Sequence, residues 1–150
     1  MFLYPIYKAI KTRLGPGVPV FFFVGQYRKG KENTSYVVPA IYIEMPKENP
    51  LNFYPKKLMA TKGIIKIHYI SYAPFKNHDN NTQDAAILAH NQKLRDIDTL
   101  INGWNVSDVE SNKLTEQMIS GNANLLNFED MNLISVLSYN TEIYSRHLMT

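Results

Sequence analysis

The sequence predicts an α+β fold: a mostly antiparallel sheet of about four strands packed by one long helix, in the order α-β-β-β-α-β. Three observations lead there. Residues 63–73 alternate apolar and polar side chains as a strand does, and residues 82–102 repeat apolar side chains at helical spacing. Clusters of Gly, Pro and Asn separate such runs at short intervals. With 150 residues, 45% of them hydrophobic, the chain is expected to form a single domain over residues 1–150.

The first element is a helix over residues 2–14. Leu3, Ile6, Ile10 and Leu14 recur at spacings of three and four, and Gly15-Pro16-Gly17 ends the run. Val18 to Val24 is bulky and β-prone and forms the first strand. The polar stretch Arg28 to Ser35, with Gly30 at its tip, reads as a hairpin connection to a second strand, Tyr36 to Glu44. Pro39 falls inside that strand and cannot donate to a ladder, which predicts an edge position or a bulge. Pro46, Pro50 and Pro55 break residues 46–60 into a loop that carries Lys56 and Lys57.

Residues 63–73 form the third strand, with Ile65, Ile67 and Tyr69 on an apolar face and Lys66 and His68 on a mixed one. A turn-rich stretch, Pro74 to Asn81, precedes the long helix over 82–102. Asn81 or Thr82 caps that helix, Asp84 suits its first turn, and Gly103 is placed to end it. Its stripe is Ile87, Leu94, Ile97 and Ile101, with Trp104 just beyond; packing alone accounts for these residues, at roughly 1.5–3 kcal/mol for each buried aliphatic. Residues 105–130 are polar and receive no element. Residues 131–146 alternate again through Leu133, Leu137, Tyr139 and Ile143 and form the last strand.

The net charge of +3 conceals a division. Residues 1–76 hold twelve Lys/Arg against three acids, and residues 77–150 hold four against ten, so the halves carry +9 and −6. Such a chain either folds one half onto the other or shows opposite charges to its partners. The absence of cysteine excludes disulfides, Cys-ligated zinc, iron–sulfur clusters and thiol nucleophiles. The first ten residues lack the pattern of a signal peptide. The longest apolar stretch, Val18 to Val24, falls far short of the roughly 20 residues of a transmembrane helix, so the protein is expected to be soluble.

Candidate chemistry is sparse. Gly25-Gln-Tyr-Arg-Lys-Gly30-Lys31 fits all but the last position of a phosphate-binding loop. Glu32 stands where a hydroxyl should hold magnesium, and strand-like residues follow where a helix is needed; a basic hairpin tip accounts for the segment better. His68, His78, His90 and His147 show no metal-ligand spacing. His78, Asp79, Asp84 and His90 could converge near the start of the long helix, but they read more simply as a solvated turn and helix face. Asp96 and Asp98 point to different sides of that helix, and Glu129-Asp130 fits a turn. No serine lies in an activating context. The expectation is no enzyme, no cofactor, no metal and no catalytic residue.

The candidate interaction residues are Arg28, Lys29, Lys31, Lys56 and Lys57, in two basic loops with Tyr27, Tyr36 and Tyr54 nearby. Basic loops with aromatics suit a phosphate backbone, so a small nucleic-acid-associated domain is the alternative reading. Ten Tyr, seven Phe and one Trp exceed the needs of a core this size, and Tyr is enriched at protein interfaces. Unlike charges with surplus aromatics suit a subunit whose one edge meets the other edge of its neighbour, a contact that closes into a ring when the rotation permits.

Several phrases carry a resemblance: Val18-Pro-Val-Phe-Phe-Phe-Val-Gly-Gln-Tyr27, Val38-Pro-Ala-Ile-Tyr-Ile-Glu44, Gly63-Ile-Ile-Lys-Ile-His-Tyr69, Leu94-Arg-Asp-Ile-Asp-Thr-Leu-Ile-Asn-Gly-Trp104, and the strand Leu133 to Tyr144. With them, nearly the whole chain resembles the tail-terminator or tail-completion proteins of tailed bacteriophages, in a divergent version like that of phages of Bacteroides-like hosts. The resemblance implies a virion structural protein, a neck-ring subunit at the head–tail junction that passes through the host cytoplasm during assembly. It implies a homo-oligomeric ring, a hexamer or dodecamer, touching other neck, tail or portal-side proteins. DNA contact in the lumen would be incidental, and no membrane is involved. The family brings no active site with it.

Overall fold

The computed structural model describes residues 4–27, 36–46, 60–73, 80–108, 110–129 and 132–144. Two helices and seven strands follow in the order α1 (Tyr4–Leu14), β1 (Val20–Phe22), β2 (Ala40–Glu44), β3 (Ala60–Tyr72), α2 (Asn80–Ile101), β4 (Asn105–Ser107), β5 (Lys113–Gln117), β6 (Ile119–Glu129) and β7 (Asn132–Tyr144). The fold is α+β, as the alternation of periods predicts. The sheet is larger than the expected four strands, and its order is β1-β2-β3-β7-β5-β4, with β6 pairing β7 beside β5.

The additional strands come from residues 105–130, where Asn, Ser, Glu and Gly dilute the apolar signal. β5 and β6 are nearly continuous around the buried Met118, and both run antiparallel to β7. Backbone bonds at Met118 hold this junction to the end of α2: Met118 N–H donates to Trp104 O at 2.9 Å and Gly103 N–H donates to Met118 O at 2.7 Å. Gly103 takes φ of 80° there, the left-handed conformation expected of the residue that ends α2.

Two further expectations are corrected. β1 and β2 pair parallel, in register Val20↔Ile41 to Phe22↔Ile43, so residues 28–35 are not the turn of a hairpin. The chain leaves β1 at the Glu44 end of β2 and re-enters at the Ala40 end, and Tyr27 and Tyr36, on either side of residues 28–35, have ring centroids 6.3 Å apart. Pro39 stands one residue ahead of β2, and β2 is an interior strand between β1 and β3. The missing N–H therefore interrupts no ladder.

α1 packs against both β1 and β4, the two ends of the strand path. The sheet is thus curled, with α1 lying across the gap between its end strands. Ile6, Ile10 and Leu14 of α1 and Leu94, Ile97 and Ile101 of α2 meet Ile41, Ile43, Ile65, Ile67, Tyr139 and Ile143 in the main core. Arg13 fastens the two helices: its guanidinium lies 4.3 Å from the Trp104 ring centroid and its Nε donates to Leu100 O. A smaller cluster on the other face joins Phe23, Ala40, Tyr42, Ile70 and Ile134, with Tyr27, Tyr36 and Val38 packed against it. Among the described residues no helix is long and apolar enough to cross a membrane.

Candidate functional site

The five basic residues singled out by the sequence, Arg28, Lys29, Lys31, Lys56 and Lys57, lie outside the described residues, as do Tyr54, His78, Asp79, Asp130 and His147. Their flanks are described, and Tyr27 before the first basic loop bonds His68 on β3. The chain re-enters at Tyr36, whose hydroxyl accepts a bond from Asn132 Nδ2 at 2.9 Å, opposite Tyr72 on β3. It departs before the second basic segment at Pro46, whose Cγ lies 3.1 Å from where a Cβ on Gly63 would stand. Gly63 and Tyr72 are nine residues apart on β3, or roughly 30 Å at strand rise. Gly25 and Gln26, the start of the phosphate-loop match, form a closed turn: Val24 N–H donates to Gln26 Oε1 and Gln26 Nε2 donates to Phe22 O, both at 2.8 Å.

The two described histidines are buried, which corrects the reading of His90 as a solvated helix residue. On the second face of β3, His68 is 3% exposed and stacks on Phe23 with ring centroids 4.1 Å apart. With the imidazole neutral, Nε2–H donates to Glu44 Oε1 at 3.1 Å, and Nδ1 accepts the hydroxyl of Tyr27. Glu44 also faces Lys66, 3.8 Å away. This chain of bonds ties the segment 23–27 to the sheet, immediately before the first basic loop. Tyr42 on the same face exchanges bonds with the backbone of Val37, and burial pushes its phenol up from the ordinary value.

His90 occupies the α2 stripe between Ile87 and Leu94 and is 1% exposed. Ser71 Oγ of β3 lies 2.6 Å from its Nδ1, and Ser135 Oγ of β7 lies 2.8 Å from its Nε2. Burial lowers its pKa to about 4, so the ring is neutral at physiological pH and serves both hydroxyls. Just over two turns further on, Asp98 Oδ1 accepts the hydroxyl of Tyr139 at 2.8 Å, and burial together with that carboxylate raises the phenol's pKa. Both networks pin α2 to the sheet. Each imidazole nitrogen is engaged and sealed from solvent, so neither histidine has the access that proton transfer to a substrate requires. Among the described residues no group of three or more His, Asp or Glu is placed to hold a metal ion.

Two of the grooves among the described residues have unlike linings. One, of 840 Å³, lies where β3, β7 and the β5–β6 junction meet, lined by Lys62, Ile64, Glu116, Ile119, Asn140 and Glu142. Ile64 is 48% exposed and Ile119 60%, so apolar surface is left in water between two carboxylates and one ammonium. Glu116 is held ionised: the Tyr144 hydroxyl and then Lys113 Nζ at 3.1 Å depress its pKa. The other groove, of 720 Å³, runs along α1 and the turn that follows it, lined by Tyr4, Lys8, Lys11 and Thr12. It contains two ammonium groups and no carboxylate.

The charge of the two chain halves is not separated in the sheet. β3, from the basic half, lies against β7 from the acidic half, with Lys62 opposite Glu142. Among the described residues α1 carries Lys8, Lys11 and Arg13 without an acid, and further basic residues lie on β3, α2 and β5.

The curled sheet, its two helices and these grooves define a small α+β domain with two unlike polar surfaces. No family model matches the sequence, and no curated protein matches it. Among solved structures, a protein chain bearing no descriptive name aligns with a TM-score of 0.49 and 14% identity, over 95% of this chain and 89% of its own.

Proposed function

We propose that the protein is a non-enzymatic structural subunit that assembles head to tail into a ring, as a tail-terminator-like component of a phage neck or tail. The observation that carries the reading is the pair of unlike grooves on one subunit, one along α1 with two ammonium groups and no carboxylate, the other at the β3–β7–β5 end with two carboxylates and one ammonium. A contact between unlike patches is heterologous, and identical subunits repeat it until the rotation closes. The exposed Ile64 and Ile119 add apolar area to the carboxylate-bearing groove, and Tyr4, 49% exposed, adds it to the lysine-bearing one. The resemblance of nearly the whole sequence to tail-terminator proteins supplies the virion setting, the neck and tail partners, and the hexamer or dodecamer.

Charge reversal tests the contact. Lys8→Glu with Lys11→Glu should convert rings to monomers in sizing and negative-stain images. Adding Glu142→Lys to that variant should restore them. Rings that survive the double reversal place the contact elsewhere; a parent protein that is monomeric and absent from phage particles defeats the reading.

A further inference from the structure

A strand edge that no element covers presents a row of unpaired N–H and C=O groups and takes up another strand readily. Among the described residues the sheet ends on three strands, each with one outer edge. Those of β1 and β4 are three residues long, and α1 packs against both strands. The third belongs to β6, eleven residues long, whose one strand neighbour among the described residues is β7. Its first turn of chain is engaged, since Ser120 N–H donates to Asn102 Oδ1 at 3.2 Å. From Gly121 to Glu129 the outer side has no neighbouring strand among the described residues.

The sequence of this edge is as telling as its position. Ile-Ser-Gly-Asn-Ala-Asn-Leu-Leu-Asn-Phe-Glu contains no Lys, no Arg and no Pro, the residues that ordinarily guard an edge. Its one charge is Glu129, at the far end. Two bulges bend the strand, between Ser120 and Ala123 and between Asn124 and Asn127, without adding charge.

We propose that the outer edge of β6 pairs with the same edge of a second copy of this chain, antiparallel about a twofold axis near Leu125. Two arguments select this occupant. Among the described residues the eleven-residue β6 edge is longer than those of β1 and β4 and than the stretch of β3, residues 60–65, that runs past β2, and two identical edges joined in the pleat of one sheet run antiparallel about a twofold. In that register each Glu129 faces Gly121 of the other copy, and the two carboxylate-bearing residues stand eight positions apart, roughly 27 Å along the strands. A nearly neutral strand therefore pairs with itself without opposing like charges. The pairing uses neither the α1 groove nor Glu142, so it is independent of the head-to-tail contact; together the two would stack one ring upon another.

The absence of cysteine makes the test direct. Single Cys variants at Ser120, Ala123, Asn124, Leu125, Leu126 and Glu129 are oxidised with diamide and run without reductant. A twofold near Leu125 brings a mid-strand residue to within disulfide reach of its own copy, while Ser120 and its copy stand roughly 34 Å apart. The expected result is a cross-linked dimer at Asn124, Leu125 or Leu126 and none at Ser120 or Glu129. It should persist in the Lys8→Glu, Lys11→Glu background, which separates this proposal from the ring. Absence of cross-linking at every position overturns it, and so does equal cross-linking along the strand, which marks disordered aggregation. Should a Cys variant fail to fold, amide hydrogen exchange on the parent decides: protection of residues 121–129 rises with protein concentration if they pair, and concentration-independent exchange refutes the pairing.

Discussion

At the residue scale, His90 shows how a polar side chain can be part of a core. Sequence spacing places it on the apolar stripe of α2, between Ile87 and Leu94, yet a histidine on a helix reads as solvated because nothing local shows what it faces. Its partners, Ser71 and Ser135, come from strands 19 and 45 residues away in the chain. The consequence is a pH dependence of known sign. Burial lowers the pKa of His90 from its ordinary 6.5 to about 4, so between those values the unfolded chain takes up a proton that the folded one refuses. The contribution is fully present above pH 6.5 and is lost as the pH falls towards 4, by about 3 kcal/mol in all. Urea unfolding at pH 7.5 and pH 4.5 should show this loss. In His90→Leu the pH dependence should be correspondingly flatter, although stability at pH 7.5 falls by about 1–3 kcal/mol because two buried hydroxyls lose their partner. An unchanged slope in the variant would assign the acid sensitivity to other groups.

At the element scale, legibility followed the strength of the local period. α2 and β7 have long apolar repeats and were placed within two residues of their observed ends. β4, β5 and β6 escaped because their strand character depends on β7 and not on their own composition: Thr115 and Met118 are buried by what lies beside and above them. The parallel pairing of β1 with β2 escaped for a similar reason, since two β-prone runs joined by a Gly-containing polar segment specify pairing but not direction. α1 was legible as a helix, but its role across the gap of a curled sheet was not. That role predicts a spectroscopic effect. Arg13→Ala removes the guanidinium from Trp104, the sole tryptophan, and one bond to the last turn of α2. It should cost about 1–3 kcal/mol in urea unfolding and shift Trp104 emission to longer wavelength as the ring meets water. Emission and stability like those of the parent would show that α1 docks without this clasp.

At the scale of the whole molecule, the division of charge along the sequence does not become a division of the described surface. β3 and β7 interleave the two halves, and Lys62 stands opposite Glu142. What survives of the complementarity is local, a lysine-bearing groove along α1 and a groove with two carboxylates at the β3–β7–β5 end. The candidate interaction residues of the two basic loops could be read from composition, and they lie outside the described residues. The aromatic surplus has a partly internal explanation: Phe23, Tyr27, Tyr36 and Tyr42 are absorbed in the second-face cluster around His68. The interfaces proposed above rest on the two grooves and the open edge of β6, and not on that aromatic cluster.

In the proposed assembly, unlike surfaces on one subunit close a ring. Light scattering behind a sizing column, with negative-stain images of the same peak, measures this most directly. The account predicts closed rings of one discrete mass, a whole multiple of the 17.3 kDa chain. A monomer at every concentration, or open chains without a fixed copy number, would contradict it.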